Sequence, residues 1–388
     1  MEFDKQVNEL TSQYESLLAQ KNVPAKTNGI VTRYANPVLT AAHTPVFWRY
    51  DLDPATNPLL CERIGVNSVF NSGAIALNGK VYLVPRIEGP DRKSFFAVAE
   101  SDNGIDGFRF WDWPIEFAPA DEGEVNVYDI RLTQHEDGWI YGLFCAERHD
   151  DTQPDDASAA VARAGVVRTR DLKTWERLPD LKAPGLQHRN YVLHPEFVDG
   201  KYGLYTRPTA DFKNTGTGSG IGWGLCDSME QVEILSEVVV DPCVYHTITE
   251  GKNGQGPAPI KTSRGWLHLA HGVRDSAAGY RYVLYLFLTD LAEPWRITHQ
   301  PAGYLMSPKG AERVGDVSNV LFVNGWVVRE EEQVLIYYGS SDTRLHVATS
   351  SVDRLLDYVT NTPPDPVSWW HCLQQRKALI EKNLKLIG

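Results

Sequence analysis

One acidic residue lies in the middle of an apolar stretch, where residues 127–131 read Val-Tyr-Asp-Ile-Arg. A carboxylate inside an apolar strand is costly unless it is paired or has a chemical role. Strand alternation would place Val125, Val127, Asp129 and Arg131 on one face. The stretch therefore predicts either an Asp129–Arg131 ion pair on a partly wet wall or a catalytic acid. Taken alone, it slightly favours the ion pair.

Four arginines fall at the ends or beginnings of neighbouring predicted strands: Arg148, Arg168, Arg189 and Arg207. A single arginine in such a place is usually solvated. Because arginine presents planar paired donors to phosphate oxygens, four of them in adjacent segments of an acidic chain predict a local anion site.

Two other chemical features are weaker. Asp316 follows a glycine on the predicted strand 315–323, where it is interpreted equally well as a turn residue or as a ligand residue. The histidines show no metal-ligand spacing, and the chain has no G-x-S-x-G elbow. We therefore expect no metal ion, no cofactor and no covalent serine or cysteine chemistry.

A fivefold repeat indicates how these residues are positioned. Polar turns at residues 79, 138, 200, 265 and 332, spaced 59, 62, 65 and 67 residues apart, each lead into an apolar strand. Short strands repeated at a nearly fixed period are typical of a radial array of four-stranded blades. The repeat predicts an all-β fold, a five-bladed β-propeller, with the chemistry at the central channel where the innermost strands converge.

The terminal segments lie outside this repeat. Residues 3–21 and 367–386 carry apolar residues at helical intervals, and residues 351–360 are expected to finish blade five. We predict a helical extension over residues 1–30, a propeller over 31–360 and a helical tail over 361–388. The two terminal helices either lock the blades together or form a homo-oligomer interface, and the sequence leaves both open.

Composition and charge exclude several partners. The chain has 388 residues, 42% of them hydrophobic, and a net charge of −12, which argues against nucleic acid or an anionic membrane as a partner. Its five cysteines have no paired spacing and indicate free thiols in a reducing compartment. The N-terminus does not resemble a signal peptide, and no apolar run is long enough to span a membrane. We expect a cytoplasmic protein.

Several motifs together resemble glycoside hydrolase family 130. They are residues 190–196 (Asn-Tyr-Val-Leu-His-Pro-Glu), 253–261 (Asn-Gly-Gln-Gly-Pro-Ala-Pro-Ile-Lys), 265–273 (Gly-Trp-Leu-His-Leu-Ala-His-Gly-Val) and 315–320 (Gly-Asp-Val-Ser-Asn-Val). The resemblance covers roughly residues 60–350 by the same repeat logic. It implies a five-bladed propeller that acts on β-mannosides, mostly by phosphorolysis.

The resemblance also implies roles for individual residues. Asp129 matches the family's single catalytic acid. Arg189 stands where many members have lysine, and His246, with Tyr245 as its alternative, lies near a phosphate-contacting position. The remaining matches are Asn71, Ser72, Arg86, Arg207 and Asp316 for the sugar and Arg148 and Arg168 for phosphate.

These roles imply phosphorolysis of a β-mannosyl-glucose disaccharide, with inorganic phosphate as a co-substrate, to α-mannose 1-phosphate and glucose. An inverting hydrolase needs two carboxylates roughly 6.5–9.5 Å apart, whereas a phosphorylase needs one acid and an anion pocket. A β-1,4-mannooligosaccharide phosphorylase and a β-mannoside hydrolase remain alternatives. A non-catalytic propeller scaffold is a further alternative, which the polar inner-strand motifs disfavour.

Overall fold

The structure is a computed structural model, and it describes residues 2–63, 65–156, 159–184, 189–208 and 219–388, with Arg49 described by its backbone only. The chain begins with helix α1 (Glu2–Leu18), two short strands and a four-residue helix, which are β1 (Pro24–Thr27), β2 (Thr32–Tyr34) and α2 (Val46–Arg49).

Most of the remaining chain is arranged in blades of antiparallel strands. Blade one contains β3 (Ser68–Leu77), β4 (Lys80–Glu88), β5 (Ser94–Ser101) and β6 (Arg109–Pro114). Blade two contains β7 (Glu124–Gln134), β8 (Ile140–His149), β9 (Ala160–Thr169) and β10 (Glu176–Leu181). Blade three contains β11 (Val192–Val198), β12 (Lys201–Thr206), β13 (Gly220–Cys226) and β14 (Glu237–Pro242).

The last two blades are less regular. Blade four contains β15 (Lys252–Gln255), β16 (Ile260–Thr262), β17 (Gly265–Ser276), β18 (Gly279–Thr289) and β19 (Ile297–His299). Blade five contains β20 (Leu321–Val328), β21 (Gln333–Ser340) and β22 (Arg344–Ser351), and the chain ends with α3 (Val352–Asn361) and α4 (Trp369–Ile387). Over the described ranges the strands form five sheets, which confirms the predicted five-bladed propeller.

Two of the polar turns of the repeat are tight hairpins. Asn78 and Gly79 have φ angles of 51° and 79°, and Asp199 and Gly200 have φ angles of 52° and 74°. Two successive residues with positive φ form the type I′ turn, whose twist matches that of the flanking strands. These two turns therefore join the innermost strands of blades one and three directly to the next strand.

The N-terminal segment closes the ring. Strand β2 pairs with β22 and β1 pairs with β2, so these two strands form the outer part of blade five. This pairing was not predicted from the sequence. A blade completed by both ends of the chain leaves no open gap in the ring.

The apolar core lies between neighbouring blades. Within the described part of the chain, buried apolar residues form one cluster at each of the five blade-to-blade contacts. Strand β3 contacts both β7 and β20, which brings the innermost strands of blades five, one and two together around the axis. Inner-strand side chains are therefore the ones that can converge.

The prediction that residues 351–360 finish blade five was wrong beyond Ser351. These residues form α3, whose Val352, Leu355, Leu356 and Val359 pack into the cluster between blades four and five. Their spacing of three and four residues is the helical period, which buries one face against the sheets.

The predicted terminal helices are present as α1 and α4. Helix α4 buries none of its residues, and its exposed apolar side chains include Trp369, Trp370 and Leu384. A homo-oligomer interface at these helices stays a prediction, as do the domain boundaries at residues 30 and 360. In the described residues, no helix combines the length and apolar character needed to cross a membrane.

Candidate active site

Asp129 lies on a bulge of β7, the innermost strand of blade two. The register of β7 against β8 shifts between Tyr128 and Arg131, and Asp129 has a φ of 61°. The Asn71 amide Nδ2 donates a 3.0 Å hydrogen bond to the Asp129 carboxylate, and Arg86 Nη1 lies 3.7 Å from the same oxygen. Only 16% of the Asp129 side chain is exposed, so this carboxylate is largely shielded from solvent and has two defined partners.

The bulge changes the environment predicted for Arg131. This residue is fully buried, and its guanidinium donates to the main-chain oxygen of Asp129 at 2.9 Å and to Asn190 Oδ1 at 2.6 Å. Burial lowers the pKa of Arg131 to about 10. The predicted face shared by alternating residues is interrupted, and Arg131 braces the bulge instead of pairing with the Asp129 carboxylate.

Arg86 is fixed beside Asp129 by several contacts. Its guanidinium carbon lies 4.8 Å from the ring centroids of both Phe70 and Tyr128, and its Nε donates to Ser94 Oγ at 3.0 Å. Glu88 is a further close ion-pair partner of its guanidinium. These contacts hold a cation where it can bind sugar hydroxyls next to the acid.

The other predicted sugar-binding residues lie close by, with unequal burial. Ser72 is fully buried and its hydroxyl donates to the Gly73 carbonyl at 2.7 Å, so it is engaged within its own strand. Asp316 is exposed and precedes β20 instead of lying on it; it accepts a 2.7 Å hydrogen bond from Asn67 Nδ2. The structure thus brings Asn71, Arg86 and Asp129 into direct contact and places Asp316 at the rim.

A second acid belongs to this site. Burial and the Asp129 carboxylate raise the pKa of Asp342 to about 7, while Arg86 acts in the opposite direction. Asp342 follows β21 in a turn where it and Ser341 have φ angles of 53° and 47°. No role was predicted for Asp342 from the sequence, because a position at a strand end carries no information on charges contributed by other blades.

A cluster of cations lies on the other side of Tyr128. Arg189 Nη2 donates to the Tyr128 hydroxyl at 3.1 Å. Burial, followed by the nearby Arg189 charge, lowers the pKa of Arg207. Burial and the charges of Arg207 and Arg189 lower the pKa of Lys252 to about 8. Glu147 lies 3.9 Å from Arg189 and Asp275 acts on Lys252, so carboxylates offset part of this positive charge. The remaining excess of positive charge favours an anion in the space between the three cations.

Unsatisfied polar atoms support this interpretation. Arg207 Nε and both ring nitrogens of His271 are buried and have no hydrogen-bond partner within the described ranges. Burial and the charges of Arg207, Arg131 and Lys252 hold the pKa of His271 well below its usual range, so its ring is a neutral donor at pH 7. Tyr282 stacks on His271 with the ring centroids 6.1 Å apart. Buried donors without partners need a ligand or water.

Comparison with known proteins identifies the family. The sequence model of glycoside hydrolase family 130, described as beta-1,4-mannooligosaccharide phosphorylase, matches residues 48–361. The chain belongs to glycoside hydrolase family 130. It is similar to the 4-O-beta-D-mannosyl-D-glucose phosphorylase of Bacteroides fragilis, at 59% identity over 387 residues and 99% coverage of each chain. The beta-1,4-mannooligosaccharide phosphorylase of Ruminococcus albus is 31% identical over 327 residues, which cover 81% of this chain and 91% of that protein.

The fold has a solved counterpart. The beta-1,2-mannobiose phosphorylase from Listeria innocua superposes with a TM-score of 0.68, covering 86% of this chain and 99% of that one. At 20% identity this likeness shows the fold alone.

Two of the predicted phosphate-binding arginines of this family 130 member do not join the cation cluster. Arg148 forms ion pairs with Asp121, Glu124 and Asp180, the last at 3.2 Å. Arg168 binds Glu176 at 2.7 Å and Glu230 at 2.5 Å. Carboxylates already neutralise both guanidinium groups, which leaves little net attraction for phosphate.

Their separation is a second reason for this correction. Arg168 pairs across the sheet with Tyr141, near one end of β8, whereas Arg148 lies near the other end. Seven residues of β-strand span roughly 23 Å. One phosphate ion cannot contact both arginines.

His246 also lies away from the cluster. It is exposed, and its ring stacks on Tyr245 with centroids 5.0 Å apart and an interplanar angle of 12°. Its main-chain nitrogen donates to Glu250 at 3.0 Å. The geometry assigns His271 and Tyr282, instead of His246 and Tyr245, to the candidate anion site. Sequence reasoning missed Lys252, His271 and Tyr282, because His271 and Tyr282 lie in ordinary apolar-rich strands and Lys252 begins a short polar strand, none with a distinguishing spacing.

Proposed function

We propose that this family 130 enzyme catalyses the reversible, inverting phosphorolysis of 4-O-β-D-mannosyl-D-glucose, giving α-D-mannose 1-phosphate and D-glucose. The observation that carries the proposal is the cluster of Arg189, Arg207 and Lys252 beside the bulged Asp129. The 59% identity with the Bacteroides fragilis enzyme supports the choice of glucose as the leaving group.

Asp129 supplies the proton for the departing glucose. Asn71 and Arg86 fix its carboxylate through the hydrogen bond of 3.0 Å and the ion pair of 3.7 Å. The family resemblance implies that the proton passes through the 3-hydroxyl of mannose. Positioned general acids typically contribute about 10²–10⁴-fold to a rate.

Phosphate is the co-substrate and nucleophile. It would be held by Arg207, Arg189 and Lys252, with neutral His271 and Tyr282 as further donors. Charge-assisted hydrogen bonds from guanidinium groups fix the orientation of phosphate oxygens. Attack on the mannosyl C1 from the face opposite the leaving glucose inverts the configuration and yields the α-phosphate. No other cofactor enters this scheme.

Hydrolysis is the main alternative reaction, because the site contains a second acid. Asp342 lies within electrostatic range of Asp129, and an inverting hydrolase needs such a second carboxylate. The strongest charges acting on Asp342 are those of Asp129 and Arg86, and its own charge acts on Tyr282. Asp342 therefore lies between the acid and the anion site, where this scheme places the mannosyl unit. We therefore assign Asp342 to the mannosyl unit.

The deciding experiment incubates the enzyme with mannosylglucose in the presence and absence of inorganic phosphate. Phosphorolysis predicts mannose 1-phosphate with phosphate and no cleavage without it. Release of free mannose in both reactions would assign hydrolysis instead.

A preference for longer β-1,4-mannooligosaccharides is the remaining rival in specificity. Acceptor contacts are expected on loops 86–94, 149–162 and 208–220, of which residues 157–158 and 209–218 lie outside the described part of the chain. Synthesis from mannose 1-phosphate with either glucose or mannobiose as acceptor separates the two. A faster reaction with mannobiose would favour the oligosaccharide enzyme.

Cytoplasmic location belongs to the same proposal. Cys61, Cys145, Cys226 and Cys372 are free thiols, and Cys145 and Cys226 are buried. Unpaired cysteines are typical of proteins in a reducing compartment.

A further inference from the structure

A cavity of about 520 Å³ lies between blades three and four and the segment leading into α4. Asp129 and the three clustered cations are not among its lining residues, so it is separate from the active site described above. Its volume falls in the range of roughly 300–1,000 Å³ found for small-molecule sites. The proposed phosphorolysis does not use this cavity.

The outer wall of the cavity is aromatic. Tyr245 and Trp369 are 84% and 76% exposed, and His246 stacks against Tyr245 at 5.0 Å. Large aromatic side chains that are exposed to solvent beside a cavity can mark a ligand-binding site. They offer flat faces to a ligand that enters from this side.

The inner wall carries a buried carboxylate. Asp241 is 4% exposed and accepts hydrogen bonds from Tyr285 Oη at 2.5 Å, Asn253 Nδ2 at 3.1 Å and Gln300 Nε2 at 3.0 Å. A carboxylate offers about four acceptor positions, so one position on the oxygen facing Gln300 is still open. Burial raises the pKa of Asp241, as expected for an acid with little access to solvent.

Gln300 adds a second adaptable group. It is exposed and lines the cavity, and its side-chain oxygen has no hydrogen-bond partner among the residues that the structure describes. A carboxylate oxygen and an amide side by side can accept from and donate to neighbouring hydroxyl groups of one molecule. A quaternary ammonium ion would use the aromatic faces but not the amide.

We propose that this cavity is a second saccharide site, in which a hexose ring stacks on Trp369 and Tyr245 while its hydroxyls bond to Asp241 and Gln300. Its ligand class is a neutral mono- or disaccharide. The site is independent of the proposed phosphorolysis, because none of its residues contacts the reacting groups.

The test is a fluorine NMR titration of the full chain labelled with 5-fluorotryptophan, using β-1,4-mannobiose as the probe and no phosphate. The Trp369 resonance, assigned from Trp369→Phe, should shift saturably. The shift should be lost in Gln300→Ala, a surface change that leaves the fold intact. The exposed Trp113 on blade one serves as the control for nonspecific contact with sugar and should not move.

Three results would overturn the proposal. They are no saturable shift at Trp369, an equal shift in Gln300→Ala, and a shift produced by choline chloride but not by mannobiose. Phosphorolysis by Gln300→Ala should equal that of the wild type at low sugar concentration. Absence of phosphorolysis in the wild type would contradict the proposed function and leave the titration result standing.

Discussion

Asn71 and Asp129 are the bulged residues of the innermost strands of two neighbouring blades, and their side chains meet at 3.0 Å. Their φ angles are 43° and 61°, in the left-handed region that asparagine and aspartate tolerate better than most residues. Such a conformation costs an L-residue roughly 1–2 kcal/mol. The two bulges turn both side chains toward one point, and β3 and β7 thereby build the acid site together.

Asp129→Asn should lower the rate of mannose 1-phosphate release by about 10²–10⁴-fold, because the variant has no proton to donate. Asparagine keeps the left-handed backbone, so the thermal unfolding midpoint should stay close to that of the wild type. Asp316→Asn, at the exposed rim, is the matched control and should lose much less activity. Phosphorolysis by Asp129→Asn near the wild-type rate would reject the assignment.

Arg207→Ala and Lys252→Ala should each raise the KM for phosphate by about tenfold or more, since a hydrogen bond to a charged group contributes roughly 1.5–3 kcal/mol. The KM for the disaccharide should change much less. Arg148→Ala and Arg168→Ala are the matched controls, because their guanidinium groups are bound to carboxylates elsewhere. Initial rates over a phosphate series distinguish the four variants, and the opposite pattern would restore the assignment made from the sequence.

The fold was predictable because the repeat consists of turn residues and apolar strands, which can be recognised locally in the sequence. Each hairpin depends on local chemistry such as Asn78-Gly79, which needs no long-range information. The closure by β2 was not predictable in this way, because Thr32–Tyr34 is too short to read as a strand without its partner β22. The helical spacing of α3 is present in the sequence, but it directly follows the last strand of the repeat and so resembles a continuation of blade five.

Site residues were predictable only where the sequence of a single strand was unusual. Asp129 stood out because a charge interrupted an apolar strand. The sequence groups Arg148 with Arg168 because both end a strand, but β8 and β9 are antiparallel, so the two residues lie at opposite ends of the blade. The pKa of Lys252 is lowered by burial and by the charges of Arg207 and Arg189, which belong to another blade. That proximity exists only after folding.

The pH dependence of phosphate use should reflect Lys252. Burial and two neighbouring arginines lower its pKa to about 8, so the free enzyme carries this charge below pH 8 and loses it above. The kcat/KM for phosphate should therefore fall as the pH rises through 8. Lys252→Arg keeps its charge and should flatten that fall. A profile identical in wild type and Lys252→Arg would show that another group controls it.

Asp342→Asn should change stability in a pH-dependent direction. The folded-state pKa of Asp342 is about 7, above its ordinary value of 3.8, so between these values the folded protein binds more protons than the unfolded chain. Wild-type stability therefore falls as the pH rises through this window, and an uncharged asparagine removes the loss. The Tm of the variant relative to the wild type should be higher at about pH 8 than at about pH 5. An equal difference at both pH values would contradict the shifted pKa.

Arg33→Ala should strongly destabilise the closure of the ring. Arg33, on β2, donates to Glu312 Oε1 at 3.1 Å and to the Ser307 carbonyl at 2.8 Å, and the Arg33 and Glu312 side chains are only 11% and 10% exposed. Removing one partner of a buried pair leaves the other charge uncompensated, at a cost of about 3–5 kcal/mol.

Arg109→Ala provides the comparison for that variant, because its pair with Glu15 is 2.6 Å long but about half exposed on both sides. Exposed pairs contribute roughly 0–1 kcal/mol. Urea unfolding of both variants measures the difference, and the Arg33 variant should have the lower midpoint. Equal midpoints would mean that β2 adds little to the stability of blade five, and that the ring is held together by the apolar clusters between the blades alone.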